Sequence, residues 1–300
     1  MKFNEDALKI WKYWIIERNR IYFKKSVLNL PSPWTKDPIF QTYKFTNVKR
    51  WQDRETCWLL DNIINNPSLS LEDKVYNCIL FRLWNKGVTF ERICGKGITT
   101  KDLRETSIEV FEERINKYKR LDPNYAWYTS AFLTSGLKQT YRKYSDNVPL
   151  RMIFLIKKAI ENNIYEKIQK CSLPSEVYSV LSSIKGIASF LAYQIYVDLT
   201  YIEDFPFSEE DFVVAGPGCQ AGEDILFSER TGTYEDALFY LVREQDNIFG
   251  EGVLEEEFKY LPTSKRRLTV MDIENSMCEL SKYWRTYTNT GRPKCRYGIR

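Results

Sequence analysis

The sequence predicts an all-α fold. Most of the 300 residues lie in segments whose apolar residues recur with the helical period, and signals for strands are weak. The best strand candidate, at 212–214, is short and is followed almost at once by Gly-Pro-Gly at 216–218. With 43% hydrophobic residues the chain can bury one large core or two smaller ones. We expect a single helical domain over 1–300, with a candidate lobe boundary near residue 145 and a basic tail at 285–300.

The predicted helices follow this periodicity in chain order. An aromatic-rich helix is predicted at 5–25, and the three prolines in 30–38 make the next segment irregular because proline cannot continue a helix. Ser68 or Ser70, with Asp73, indicates the capped start of a helix that ends near Trp84. The other helices are predicted at 51–65, 101–119 (opened by Thr100), 149–170, 175–183, 188–200, 233–247 and 269–285. Loops are predicted at 30–48, 86–100 and 202–232.

The chain contains no histidine, which excludes Ser-His-Asp and Cys-His catalysis and imidazole metal sites. Its seven cysteines include no Cys-x-x-Cys pair, so a zinc ribbon or finger is not expected. We expect reduced, mostly packed thiols, no metal and no cofactor. Catalysis would have to use carboxylates, lysine, arginine, tyrosine, hydroxyls, thiols or the backbone.

The ends of the chain differ in charge. The first residues are acidic and lack the apolar core of a signal peptide, and no apolar run is long enough to span a membrane. A cytoplasmic location is therefore expected, in the host cytoplasm if the chain is viral, with no membrane partner. The net charge is +4, and the segment 285–300 holds five basic residues and no acidic one. The body of the chain is thus close to neutral.

The segment 181–194 is similar to a helix-hairpin-helix motif, in which a glycine-containing turn joins two helices. Gly186 would allow the tight turn, and Ala188 and Ser189 would begin the second helix, whose free amides can bind a DNA phosphate. Lys185 adds a positive charge at the turn. Ala188 stands where the motif usually has a second glycine, so an ordinary packed helical hairpin is the alternative.

Helix-hairpin-helix DNA glycosylases carry an essential aspartate downstream of the hairpin. Asp204 and Asp211 both fit that position, and Asp211 is preferred because it precedes an apolar run and the Gly-Pro-Gly segment. Phe190 stands where glycosylases with lyase activity carry a nucleophilic lysine. The resemblance therefore implies no Schiff-base chemistry.

Longer motifs resemble the glycosylase-like helical family of phage DNA hypermodification. This family includes the α-glutamyl/putrescinyl thymine pyrophosphorylases and the helical domain attached to 5-hydroxymethyluracil DNA kinases. The resemblance covers about residues 10–297 and implies a two-lobed, helix-hairpin-helix DNA glycosylase-like fold. The motifs are Pro-Trp-Thr-Lys-Asp-Pro-Ile at 33–39, Phe-Thr-Asn-Val-Lys-Arg at 45–50, Phe-Leu-Ala-Tyr-Gln at 190–194, Phe-Ser-Glu-Glu-Asp at 207–211, Asp-Ile-Glu-Asn at 272–275 and Gly-Arg-Pro-Lys at 291–294.

The resemblance also implies a chemistry. A kinase converts 5-hydroxymethyluracil in DNA to a pyrophosphate ester, and a pyrophosphorylase then displaces pyrophosphate with an amine or amino acid. This chain has no Gly-x-x-x-x-Gly-Lys-Ser/Thr loop, so the transferase is favoured over the kinase. The expected partners are DNA with modified thymine or uracil, a small amine donor and, as a candidate, a 5-hydroxymethyluracil DNA kinase. A monofunctional glycosylase and a non-catalytic DNA-binding partner of the kinase are the alternatives.

Such a transferase must flip out a base, stabilise a leaving anion and deprotonate an amine. Arg50 and Arg54 lie four apart, so on one helix they would form an anion clamp; surface ion pairs are the alternative. Asn47 is a candidate for reading the uracil edge, or else a turn or helix-cap residue. Asp211 is the candidate base or charge stabiliser, or else the N-cap of a short helix or turn, and Glu274 is expected to face the site because its neighbours are apolar.

The remaining candidates bind substrate or DNA. Gly216 and Gly218 would form an anion-holding nest, with a plain tight turn as the alternative. Lys282 is a substrate-binding candidate, and its alternative is an ion pair with Glu279. The DNA-binding candidates are the hairpin residues Lys185, Gly186, Ala188 and Ser189 and the tail residues Arg292, Lys294 and Arg296.

Overall fold

The computed structural model describes residues 1–129, 139–293 and 295–297. These residues form sixteen α-helices and one small antiparallel sheet, so the predicted all-α class is confirmed. The helices are α1 (Glu5–Tyr22), α2 (Pro38–Thr42), α3 (Arg54–Leu59), α4 (Leu71–Trp84), α5 (Gly87–Cys94), α6 (Thr100–Glu105), α7 (Ile108–Leu121), α8 (Val148–Glu161), α9 (Ile164–Gln169), α10 (Pro174–Ser182), α11 (Ser189–Leu199), α12 (Pro217–Leu226), α13 (Tyr234–Arg243), α14 (Gln245–Phe249), α15 (Val253–Glu257) and α16 (Val270–Tyr287). The strands are β1 (Lys2–Phe3) and β2 (Phe227–Glu229). None of the helices in these ranges is both long enough and apolar enough to cross a membrane.

The chain divides into two compact units. Unit 1 combines Met1–Asp53 with Val213–Arg300, and unit 2 is Arg54–Phe212. Residue 145, where the sequence suggested a candidate lobe boundary, lies inside unit 2.

In unit 1, α1 and α12 pack against the long helix α16. The indole N–H of Trp11, which is fully buried, donates to the Ser276 hydroxyl at 2.9 Å. Helix α12 approaches α16 so closely that a Cβ atom on Gly222 would lie 2.1 Å from the Met277 carbonyl oxygen. Glycine is therefore required at this position, because only backbone atoms fit between the two helices.

In unit 2, the central helix α4 is buried along nearly all its length and packs against α8 and α11. Arg82 of α4 and Asp198 of α11 form a fully buried ion pair, in which Arg82 Nη2 donates to Asp198 Oδ1 at 2.6 Å. Arg82 also donates to the Thr56 hydroxyl at 3.1 Å. The pair therefore fixes the two helices together at the centre of the unit.

Several predicted helices were split or shifted. The helix predicted at 101–119 is two helices, α6 and α7, and the cap of α6 is Thr99 rather than Thr100. The helix predicted at 149–170 breaks at Asn163, which adopts a left-handed conformation with φ 52°. The helix predicted from residue 51 begins at Arg54, after a single 3-10 turn at Arg50–Gln52.

All three predicted loops contain helices, and α2 lies within 30–48. Helix α5 lies within 86–100, and its first residue, Gly87, must be glycine because a Cβ there would lie 2.3 Å from the Trp58 ring. Helix α12 lies within 202–232, where the glycines suggested a turn. In α5 and α12 glycine serves close packing of a helix rather than a bend in a loop.

Candidate functional site

Glu274 is the buried carboxylate at the centre of the candidate site. It lies on α16, which begins after a capping box formed by Thr269 and Asp272. The carboxylate accepts a hydrogen bond from the backbone amide of Gly216. Burial raises the pKa of Glu274 to about 7, although that hydrogen bond and the Arg50 guanidinium act in the opposite direction. Glu274 can therefore gain or lose a proton near neutral pH.

The Gly-Pro-Gly segment is the start of a helix, and neither a nest nor a tight turn forms there. Gly216 is the N-cap of α12 and Pro217 is its first residue. The positive end of this helix therefore points at the Glu274 carboxylate. A Cβ on Gly218 would lie 3.1 Å from the Cys278 sulfur, so the lack of a side chain allows α12 to begin beside α16.

Two thiols and a second acid lie along the same helix pair. Cys278 donates to Glu274 Oε1 at 3.8 Å, and Cys219 donates to Glu223 Oε1 at 3.5 Å. Burial raises the pKa of both thiols, which keeps them protonated, and raises the pKa of Glu223 to about 8. Sequence reasoning missed Glu223, although its spacing of four residues from Cys219 is helical.

Arg50 adjoins this site, but Arg54 does not share a helix with it. Arg50 lies in the 3-10 turn, its backbone amide donates to Asp272 at 3.1 Å, and Asp53 is extended. The predicted i, i+4 clamp is therefore wrong, because the chain changes direction before α3 begins. Arg54 is exposed and pairs with its neighbour Glu55, from Nη2 to Oε1, at 2.6 Å.

Asn47 is engaged within unit 1. Its carboxamide oxygen accepts from the Arg18 guanidinium, and its amide nitrogen donates to the Gln52 carbonyl at 2.7 Å. The Asn47 carbonyl also accepts from the Asn275 amide at 3.2 Å. The side chain therefore connects α1 with the 3-10 turn, and the backbone carbonyl connects the segment with α16; a role in reading a base stays a prediction.

Asp211 lies at the end of unit 2 and is exposed. Its carboxylate accepts from the Ser208 backbone amide at 2.6 Å, and its own amide donates to the Ser208 carbonyl at 3.3 Å. These bonds make Asp211 the cap of a short turn. Glu274, by contrast, belongs to unit 1.

The hairpin residues form a glycine turn between two helices. α10 ends at Ser182, Gly186 adopts φ 100°, and α11 begins at Ser189. Lys185, Ala188 and Ser189 are exposed. The predicted order of helix, glycine turn and helix is present, and DNA binding by the turn stays a prediction.

The sequence matches the model of the family described as the 5-hmdU DNA kinase helical domain over residues 5–292. The chain belongs to this family. A relative, the 5-hmdU DNA kinase of Bacillus phage SP10, is 27% identical over 318 aligned positions, which cover 95% of this chain and 47% of the relative. The chain thus spans about half the length of that protein. No solved structure matches the chain.

Four further candidates remain, all of them near the C-terminal end of the sequence. Lys282 pairs at 2.5 Å with Glu279, whose side chain is only 1% exposed. In the tail, the Arg296 guanidinium lies 5.3 Å from the centre of the Tyr43 ring, and the backbones of the two residues form an isolated antiparallel β-bridge. This arginine is therefore attached to the body of the unit. Arg292 is exposed. Lys294 lies outside the described residues.

Proposed function

We propose that this chain acts on a 5-hydroxymethyluracil derivative in DNA and transfers an amine or amino acid to the base with displacement of pyrophosphate. Membership of the helical-domain family supports the choice of substrate. The observation that carries the proposal is Glu274, a buried carboxylate with a pKa of about 7 beside Arg50 and the start of α12. This combination supplies a proton acceptor and an anion-stabilising environment in one place.

The proposed reaction exchanges one bond for another at the exocyclic CH₂ group of the base. The amine nitrogen forms a bond to this carbon, and the bond from the carbon to the pyrophosphate oxygen breaks. Pyrophosphate leaves with the electron pair of the broken bond. Before this attack, the ammonium form of the amine loses a proton to the Glu274 carboxylate, which is partly ionised at neutral pH because its pKa is about 7, and the substituted nitrogen afterwards releases a proton to solvent.

Arg50 and the first turn of α12 are proposed to stabilise the leaving group. Arginine forms charge-assisted hydrogen bonds with phosphate oxygens, and the first amides of a helix attract anions. For Asp211, whose carboxylate accepts from the Ser208 amide, a role in the chemistry stays a prediction.

The hairpin is proposed to hold the DNA backbone. The exposed amides that begin α11 and the ammonium group of Lys185 together suit one phosphate. The near-neutral body of the chain favours a few local contacts over extensive wrapping of DNA. We expect modest affinity for duplex DNA and a shallow dependence on salt.

The test uses duplex DNA that carries the pyrophosphate ester of 5-hydroxymethyluracil, incubated with a panel of amines and amino acids. Pyrophosphate release and a nucleoside of the mass of the amine adduct are expected. Glu274→Gln should lower the rate by about 100-fold or more, while Glu256→Gln, which removes an exposed carboxylate, should leave it unchanged. The rate should rise with pH through about 7, as Glu274 ionises. If none of the amines or amino acids leads to pyrophosphate release, the proposal is contradicted.

A second candidate is a non-catalytic domain that presents the modified base to a separate kinase. It is favoured by the match to a domain of a kinase about twice as long as this chain. In that case the Glu274→Gln variant would stimulate the kinase as well as the unmodified chain does, and Lys185→Glu would abolish the stimulation. Abasic sites in the product DNA, lost in Asp211→Asn, would instead indicate a glycosylase.

A further inference from the structure

Unit 1 contains a cavity of about 450 Å³ beside the proline-rich segment 30–38, lined by residues without a role in the proposed reaction. Its volume is in the range of small-molecule sites. Trp34, Phe40 and Tyr297 supply aromatic walls, and Gln41 supplies a carboxamide. Among the described residues that line it, Lys25 is the one that carries a charge.

The wall that carries Trp34 is firmly held. The Trp34 indole N–H donates to the Leu30 carbonyl at 2.7 Å, and the Trp34 carbonyl accepts from Lys24 Nζ at 2.9 Å. The Gln41 amide donates to the Thr35 carbonyl at 2.7 Å. Each of these bonds fixes an irregular stretch of chain that has no helical hydrogen bonds of its own.

Asp37 anchors the other end of the same wall. Its carboxylate accepts from the hydroxyl groups of Tyr13 at 3.0 Å and Tyr283 at 2.6 Å, and from the Ile39 amide at 2.7 Å. An irregular loop held by this many bonds keeps its shape without a ligand. The cavity is therefore preformed, which lowers the entropy that binding must overcome.

We propose that this cavity binds a single nucleotide, with its base stacked among Trp34, Phe40 and Tyr297 and its phosphate on Lys25. A flat heterocycle suits aromatic walls, and base–aromatic stacking contributes about 1–3 kcal/mol per base. The Lys25 ammonium at the cavity calls for an anionic group on the same ligand. The inference holds whether or not Glu274 transfers an amine.

Lys25 can change partners when such a ligand enters. Its ammonium now lies over the Trp34 ring, 5.1 Å from the ring centre, and the residue is exposed. A cation–π contact at an exposed site contributes about 0.5–1 kcal/mol. Charge-assisted hydrogen bonds to phosphate are stronger, so Lys25 can swing to the phosphate and leave the ring free for the base.

The first experiment is photocrosslinking of the full chain to a short single-stranded oligonucleotide that carries one 5-iododeoxyuridine. Mass spectrometry should place the crosslink on Trp34, Phe40 or Tyr297. Crosslinks found only in peptides of unit 2 would overturn the proposal. Because this experiment uses the unmodified protein, it does not depend on the folding of a variant.

The second experiment measures affinity by calorimetry for dTMP and for 2-deoxyribose 5-phosphate, which lacks the base. We expect dTMP to bind with a Kd below about 1 mM and the sugar phosphate to bind at least about tenfold more weakly. Trp34→Leu should weaken dTMP binding by about tenfold or more, Trp34→Phe should retain most of it, and Tyr287→Leu, at an exposed aromatic outside the cavity, should not change it.

Three results would count against the site. Equal affinity for the two ligands would show that it binds phosphate alone. Unchanged affinity in Trp34→Leu would place the base elsewhere, and absence of binding at millimolar dTMP would remove the proposal. The Glu274→Gln variant should bind dTMP like the unmodified chain, so failure of the transfer chemistry and failure of this cavity are distinguishable.

Discussion

Replacement of Glu274 by glutamine should make unit 1 more stable at alkaline pH. The pKa of Glu274 is about 7 in the folded protein and 4.5 in its ordinary state. The folded protein therefore binds this proton more tightly than the unfolded chain does. The stabilisation is fully present below pH 4.5 and is lost as the pH rises through 7.

The magnitude follows from the difference between the two pKa values. A difference of about 2.5 corresponds to about 3 kcal/mol of unfolding free energy above pH 8. Glutamine resembles the protonated acid and can still accept from the Gly216 amide. The variant should therefore exceed the unmodified protein by less than about 1 kcal/mol at pH 5 and by about 3 kcal/mol at pH 9.

Urea denaturation of the full chain at pH 5, 7 and 9, followed by tryptophan fluorescence and circular dichroism, measures this difference. Glu223 loses its own proton as the pH rises through about 8, so both proteins should become less stable at pH 9. Only the difference in unfolding free energy between the two proteins reports on Glu274. If this difference does not increase from pH 5 to pH 9, the reasoning is refuted. The control Glu256→Gln should have the same unfolding free energy as the unmodified protein at both pH values.

Two further substitutions test the packing within each unit, with the free energy of unfolding measured by urea denaturation. Gly222→Ala should lower it by at least about 2–3 kcal/mol, the cost of overpacking, because the new Cβ would meet the Met277 carbonyl and both atoms are fixed by the backbone. An unchanged value would mean that the two helices do not approach each other as described. Asp198→Ala should lower the free energy of unfolding by about 3–5 kcal/mol because Arg82 is left buried with an uncompensated charge. The control Glu256→Gln, which removes an exposed carboxylate, should change it by less than about 0.5 kcal/mol.

The helices that the sequence predicted best carry their own local signals. The helix ending at Trp84 has Ser70 and Asp73 in a complete capping box, and α16 begins after Thr269. Proline at 30–38 kept that segment irregular, as expected, up to the start of α2. These features depend on neighbours in sequence and can therefore be recognised without a structure.

The misplaced elements depend on features that helical periodicity does not detect. Position 87, where α5 begins, must be glycine because the Trp58 ring, distant in sequence, occupies the space of a side chain there. Arg50 and Arg54 are separated by an extended residue, a local detail that helical periodicity does not detect. Asp211 had the preferred position in the sequence, yet its carboxylate caps a turn on the surface. Spacing alone therefore could not rank Asp211 against Glu274.

The absence of histidine explains why burial is the decisive property of the candidate site. Without imidazole, a group that titrates near neutral pH can be obtained by removing a carboxylate from water. Glu223 and Glu274 have such raised pKa values, and they lie on the two helices that Gly218 and Gly222 bring together. The useful sequence signal was therefore the pair of glycines four residues apart. They determine how close α12 lies to α16, and so which carboxylates are buried.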